Sequence, residues 1–303
     1  MNRLIIVFCF LFIFNIGFCQ NKTFFKNIVE YLSSEQLAGR QIGTEGITAS
    51  EKFIIKEYKK LGLKPFGKTN GLFVQEFIIN DSIPNYKGIK CRNIIGIIDN
   101  RSDSTIIFSA HYDHIGSDTL LSKEIVASKR KKIHSGADDN ASGVAMVLGL
   151  AKYLSCKKLK KYNYVFLNCS AHEIGLIGSK VFFESSFLKE LKVKAIINID
   201  MVGKLNPISK YLKIGGVEKN AAIKDFFSKE DVKLSELNFF YNDSQLLMSD
   251  ATVFYKNGIP TYTFTTGTSE DYHKSSDNAD KIDYNGMESI FILLQKFVFT
   301  ISN

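Results

Sequence analysis

The sequence predicts an α/β fold: a three-layer α/β/α sandwich around a mixed, mainly parallel sheet. From residue 105 onward, short apolar runs rich in β-branched residues alternate with stretches of helical spacing, as in a parallel sheet covered on both faces by helices. Most of these runs lead into a residue able to bind a cation or move a proton: His111, Asp139, Glu173, Asp200 and His273 each stand in or beside a short polar motif. Ligands of open α/β sheets gather beyond the carboxyl ends of the strands, so residues placed this way can converge on one site. No repeat and no Pro/Gly/Ser-rich linker breaks the pattern after residue 30, and 45% of the 303 residues are hydrophobic against 4 prolines, which argues for one large core.

Residues 1–19 stand apart. Arg3 precedes the uncharged run Leu4 to Phe18, and Gly17-Phe18-Cys19 places small residues before a cut, which reads as a signal peptide for export. The run is short of the roughly 20 apolar residues of a membrane span, so no anchor is expected after cleavage and the product is expected to be secreted or periplasmic. Residues 20–303 then form a single domain. Within it, Asn27 to Leu32 and Ile47 to Leu61 carry apolar residues at helical spacing, the second closed by Gly62. Leu72 to Ile79 and Ile89 to Asp99 alternate as strands, joined through the turn-like Asp81, Pro84 and Asn85. Thr105 to Ala110 is a strand, Ala141 to Leu154 a helix, Tyr164 to Asn168 a strand, Leu176 to Glu184 a helix and Ala195 to Ile199 a strand. Ala221 to Phe227 and Asp250 to Asn257 read as helices, Pro260 to Thr265 as a strand, and Met287 to Phe299 as a closing amphipathic helix. Asp118 to Ser135 is a long polar connection beside a strand end, where binding sites are often shaped.

The formal charge of +8 comes from lysines spread along the chain and from one cluster, Lys129, Arg130, Lys131 and Lys132, which reads as a solvated face. No aromatic-basic interleaving accompanies the charge, so nucleic acid is not an expected partner. Of the 5 cysteines, Cys91, Cys156 and Cys169 remain after cleavage. They lack C-x-x-C spacing, and Cys156 and Cys169 sit in apolar segments, which predicts buried thiols and no disulfide framework.

The chemistry lies in the polar motifs. His111-Tyr112-Asp113-His114 follows a strand directly, with a carboxylate two residues beyond the imidazole. A metal-bound His donates its other ring N–H to a carboxylate or a carbonyl, and Asp113 is placed for that role. Gly136-Ala137-Asp138-Asp139-Asn140 meets a helix start. One acid there serves as a cap; two adjacent acids exceed that need, and Asp139 is assigned as a carboxylate bridging two cations. In His172-Glu173 the residue at position 176 is Leu, so the H-E-x-x-H zinc helix is absent and Glu173 needs ligands from other strands. Asp200, after Ala195 to Ile199, and His273, in Asp271-Tyr272-His273, are the candidates. Singly, each has an ordinary reading as a cap or turn residue; together they describe a metal centre. A serine hydrolase is disfavoured because no G-x-S-x-G elbow occurs.

These segments resemble the co-catalytic di-zinc aminopeptidase family, part of a broad group of zinc exopeptidases that also includes glutamate carboxypeptidase and glutaminyl cyclase relatives. Leu37-Ala38-Gly39-Arg40 with Gly43-Thr44-Glu45-Gly46 is similar to the family's opening motif, and Leu61-Gly62-Leu63-Lys64-Pro65 to its first helix end. Asp271-Tyr272-His273-Lys274, Ser276-Asp277 and Asp280-Lys281-Ile282-Asp283 are similar to its closing segment. The resemblance implies two zinc ions, one held by His111 and Asp200 and the other by Glu173 and His273, with Asp139 bridging them and its peptide bond to Asn140 cis. It also implies an aminopeptidase that removes N-terminal residues from peptide substrates. Tyr272 resembles the group that steadies the oxyanion in some relatives, and reads equally as an aromatic packed beside the site.

One residue departs from that family. Active relatives carry Glu before the Glu173 ligand, as the base that takes a proton from water; here it is His172. A neutral imidazole can act as a base, and nearby cations would depress its pKa and keep it neutral. Two dications set against Asp139, Glu173 and Asp200 also leave one positive charge that a second Glu would cancel. Three readings stay open: a working His172 base, a catalytically impaired metal- or peptide-binding homologue, and a glutaminyl-cyclase-like acyltransferase. The two-metal ligand set argues against the last.

Overall fold

Hydrophobic runs with a period of two form the sheet, and where the chain must return by a helix the strands run parallel. The computed structural model describes residues 21–66, 71–117, 120–123, 132–218, 220–229, 237–241 and 243–301. The signal segment 1–19, much of the connection 118–135, and Lys129, Arg130 and Lys131 of the basic cluster lie outside the described residues. In chain order the strands are β1 (Lys64–Pro65), β2 (Val74–Ile78), β3 (Lys90–Ile98), β4 (Thr105–His111), β5 (Asn163–Cys169), β6 (Val193–Ile199), β7 (Tyr211–Gly215), β8 (Asn238–Tyr241) and β9 (Thr261–Thr265). They join in one sheet of order β1-β3-β5-β4-β6-β9-β7-β8, with β2 also on β3. The central four, β5-β4-β6-β9, are parallel. Antiparallel pairing takes over on both sides, β3 against β5 and β7 against β9. The chain passes from β4 to β5 on one side, then crosses β4 to add β6 on the other, which opens a crevice at the carboxyl ends of these strands.

Helices cover both faces: α1 (residues 21–32), α2 (Glu45–Lys60), α3 (Gly143–Lys157), α4 (Ile177–Glu184), α5 (Ser186–Lys189), α6 (Ala221–Ser228), α7 (Thr252–Lys256) and α8 (Tyr284–Ile301). Strand alternation decides which side chain meets which layer. Ile106, Phe108 and Ala110 of β4 join the larger core with Phe25, Ile54, Val147 and Phe291 from α1, α2, α3 and α8. Ile107, with Val165, Leu167 and Ile196, packs instead with Phe182, Leu188 and Phe254 from α4, α5 and α7. Gly149 of α3 allows close approach, since a Cβ there would stand 2.7 Å from the Phe25 ring and 3.1 Å from the Phe291 ring.

Three local expectations change. Strands β7 and β8 were not foreseen: each is short, and the exposed Tyr211 and half-buried Lys213 weaken the apolar signal of β7. Helix α3 starts at Gly143, two residues after the expected Ala141, because Asp139 and Asn140 keep non-helical backbone angles. Cys156 is exposed, whereas Cys91 and Cys169 are buried. It falls in the last turn of α3, off the face carrying Val147, Ala151 and Leu154 into the core. Among the described residues no helix is long and apolar enough to cross a membrane.

Candidate metal centre

The crevice receives one side chain from each of several chain ends. His111 is the last residue of β4, Glu173 lies in the loop after β5, Asp200 directly follows β6, and His273 lies beyond β9. Asp139 sits in the turn before α3, and its peptide bond to Asn140 is cis. All five come together. His111 Nε2 stands 3.3 Å from Asp139 Oδ1 and 3.4 Å from Asp200 Oδ1. His273 Nε2 stands 3.3 Å from Asp139 Oδ2 and 3.1 Å from Glu173 Oε2, so Asp139 faces both imidazoles through different oxygens.

The tautomers follow from the other ring nitrogens. His111 Nδ1–H donates to the Asp113 carbonyl at 3.1 Å, and His273 Nδ1–H to the Leu121 carbonyl at 2.9 Å. Each Nε2 lone pair is thereby turned toward carboxylates, and both Nε2 atoms are buried without a well-aligned hydrogen bond. Lone pairs and anionic oxygens at this range repel unless a cation lies between them. With protons as the only available cations, burial acts to lower the His273 imidazole, but Asp139 and Glu173 raise it to about 10. Burial acts to raise Glu173, as does Asp139, yet His114 and His273 bring it down to about 2. Imidazole nitrogens and carboxylate oxygens without thiolate suit zinc and would accept cobalt or manganese, so the donor set fits a metal. Among the described residues, ligand atoms of His111, Asp139 and Glu173, and of His111, His172 and Asp200, lie within 4.8 Å of one another.

Braces hold the turn that carries Asp139. Asp277 accepts the backbone N–H groups of Asp138 and Asp139 at 3.0 to 3.1 Å. Asn140 accepts from Gly143 N–H and Met201 N–H and donates to the Ile199 carbonyl, all at 3.0 to 3.1 Å. Asp138 turns away from the cluster and accepts the Gly203 N–H at 2.7 Å, while burial pushes its carboxyl well above the carboxylate range. Asp138 and Asn140 thus grip both sides of Asp200, leaving Asp139 for the site.

Residues 93–298 match the family described as peptidase family M28. The chain belongs to peptidase family M28. A probable leucine aminopeptidase of Trichophyton verrucosum is 28% identical over 212 residues, covering 64% of this chain and 52% of that protein. The chain therefore spans about half the length of that curated relative. A glutaminyl cyclase from Porphyromonas gingivalis superposes with a TM-score of 0.72 at 17% identity, covering 92% of this chain and 98% of that one. A leucine aminopeptidase precursor from Bacteroides thetaiotaomicron gives 0.70 at 18%, covering 91% and 94%. At these identities the two structures speak for the fold alone.

In this member of family M28 the remaining residues sit less simply. The Asp113 carboxylate does not take the His111 ring N–H, which goes to the Asp113 backbone carbonyl; the nearer carboxylate oxygen is 4.0 Å away. It instead accepts the backbone N–H groups of His172 and Glu173 at 3.1 and 3.3 Å, bracing the loop that presents them. Tyr272 lines the pocket beside the cluster, its ring 4.0 Å from that of His273. Burial first, then Asp139, Glu173 and Asp200, push its phenol far up, so it stays a neutral donor. His172 stacks on His111 with ring centroids 3.7 Å apart.

Sequence reasoning missed three side chains. Asp250 accepts from His172 Nδ1–H at 3.0 Å, and its place before α7 disguised it as a helix start. Without metal, burial and His111 act to lower the His172 imidazole but Asp250 raises it to about 9; the cations expected to keep it neutral would act against Asp250. His114 Nδ1 is 2.8 Å from Glu173 Oε1, and its position in the His111 motif was the available signal. Arg40, fully buried, donates to the carbonyls of Leu32, Tyr112, Ser135, Gly136 and Asp139, tying the His111 and Asp139 loops together. In the sequence it stands out only as the last residue of Leu37-Ala38-Gly39-Arg40.

Proposed function

We propose that this protein is an exported zinc exopeptidase, an aminopeptidase that hydrolyses the first peptide bond of its substrates. In this reading His111 and Asp200 would hold one zinc ion and Glu173 and His273 a second, with Asp139 available to both. The observation that carries it is the pair of buried imidazole nitrogens, each fixed by a carbonyl on its other side and each aimed at carboxylates. Bound there, the ions supply a Lewis-acidic centre that polarises a carbonyl and makes water acidic near neutral pH.

The chain's own residues do the rest. His172 donates its Nδ1–H to Asp250, which leaves Nε2 as the nitrogen able to take a proton. The Asp250 carboxylate stabilises the imidazolium that results and fixes the ring in that tautomer. Tyr272, which lines the pocket beside the cluster, offers a phenolic O–H to the substrate carbonyl oxygen. Asp113 holds the backbone of His172 and Glu173, so base and ligand move as one unit.

The deciding experiment is release of product from aminoacyl-p-nitroanilides and short peptides by the mature protein, with zinc and with chelator, beside a cyclisation assay on N-terminal glutaminyl peptides. Zinc-dependent release of free amino acid is expected. Protein shown to hold metal that releases nothing would be a binding homologue with an impaired base, and cyclisation without hydrolysis would make it an acyltransferase.

A further inference from the structure

Next to the ligand cluster lies a pocket of about 150 Å³. Asp139, His172 and Asp200 form its near wall; Lys213, Ser249, Thr263 and Thr265 stand among the residues of the far side. Strand alternation explains that wall. Leu212 and Ile214 of β7, and Tyr262 and Phe264 of β9, face the larger core, so the intervening Lys213, Thr263 and Thr265 face the opposite side of the sheet. Lys213 is directly opposite Thr265 in the antiparallel pair. Its ammonium rests over Gly267, a residue with φ +85°, where a Cβ would overlap Nζ and stand 2.9 Å from Cε. A glycine there leaves the lysine room to lie along the pocket wall.

The hydroxyls of this wall are engaged locally: Thr265 Oγ1 accepts from Gly267 N–H at 2.9 Å and donates to the Met201 carbonyl at 3.3 Å. Lys213 differs. Among the described residues no carboxylate pairs with it, although it is half-buried. Lys204, by contrast, is neutralised by Asp271 at 2.8 Å and Asp277 at 3.0 Å. An ammonium taken partly out of water without a counter-ion is unfavourable, and a leucine side chain entering the pocket would desolvate it further. A carboxylate would correct both.

We propose that this pocket is built for a carboxylate of the substrate, with Lys213 as its counter-ion. The reading rests on the proposed peptidase function and names its substrate class: peptides with an acidic residue next to the scissile bond, or with a free chain terminus there. Met201, Met248 and Tyr272 in the same pocket cover the apolar stem of such a residue.

The test compares kcat/KM for glutamyl-, glutaminyl- and leucyl-p-nitroanilides, and for a dipeptide against its C-terminal amide. Zinc-loaded wild-type protein is compared with Lys213→Met and Lys213→Glu. A hydrogen-bonded charge pair corresponds to a preference of roughly tenfold or more. Glutamyl over glutaminyl identifies a side-chain carboxylate, and dipeptide over amide a terminal one. Lys213→Met should erase the preference while leucyl hydrolysis persists, and Lys213→Glu should turn it toward lysyl and arginyl substrates. Leucyl and glutaminyl substrates cleaved as well as glutamyl, with no dipeptide preference, would overturn the proposal and leave the peptidase reading intact. If nothing is hydrolysed, the peptidase reading fails and calorimetric binding decides about the pocket. Glutamate bound more tightly than glutamine by wild type, but not by Lys213→Met, upholds it; equal affinities overturn it.

Discussion

Adjacent residues of one chemical type take opposite tasks here. Asp138 is sealed against the Gly203 N–H, whereas Asp139 faces His111 and His273. His172 shows how far a neighbour sets a residue's use, because Asp250 lies 3.0 Å from its ring. A carboxylate at position 172 would meet Asp250 as a like charge inside a buried site. His172→Glu, which would restore the family's base, should therefore lose turnover, and the double variant His172→Glu/Asp250→Asn should recover it. Higher kcat in the single variant would contradict this account. His172→Gln should lower kcat by about 10²- to 10⁴-fold with metal content unchanged, the usual contribution of a positioned base. Steady-state kinetics beside metal analysis would check both.

Between residue and fold, the loops at the strand ends are held by buried polar groups that never touch the cluster's donor atoms. Arg40 is the clearest: burial lowers its guanidinium to about 10 against the pull of Asp139, Asp277, Asp113 and Glu173, and five backbone carbonyls receive it. Arg40→Met would strand those carbonyls and should cost at least about 3 kcal/mol, since each buried acceptor left unpaired costs about 1–3 kcal/mol. Arg40→Lys should recover part of this, because an ammonium has three donors to share. Denaturant unfolding gives the cost, and zinc affinity should fall in parallel because the Asp139 and His111 loops lose their common tie. Stability lost with metal affinity untouched would show that Arg40 holds α1 and not the site.

Across the whole molecule, the cluster links stability to pH and to metal. In the metal-free fold His273 is raised to about 10, above the value of about 6.5 expected for an unfolded chain. A raised imidazole contributes stability that is complete below about pH 6.5 and lost as pH climbs through the folded value. Chelator-treated protein should therefore melt at lower temperature as pH rises from 6.5 toward 10. Zinc replaces the protons and binds better as they leave, so saturating zinc should raise Tm and flatten or invert the slope. Thermal melts at several pH values, with and without zinc, would test it; parallel curves would mean that the donors do not share a cation.

The layered α/β fold and the five cluster residues were legible because they rest on local signals. Runs such as Ile106 to Ala110 and Ala195 to Ile199 announce buried strands, and a polar residue at the end of such a run points into the crevice wherever the strands are parallel. Short segments with mixed burial, β7 and β8, carried no such signal, and Cys156 depended on which face of α3 it occupied. What remained hidden depended on partners distant in the chain: the Asp113 carboxylate on the backbone of His172 and Glu173, Asp250 on His172, and Arg40 on carbonyls up to 99 residues away. By itself the sequence determined which residue types could meet at the strand ends. Only the tertiary structure decided which of them hold charge, which hold backbone and which line the pocket, because those roles are set by distance and burial, and neither quantity exists before the chain has folded.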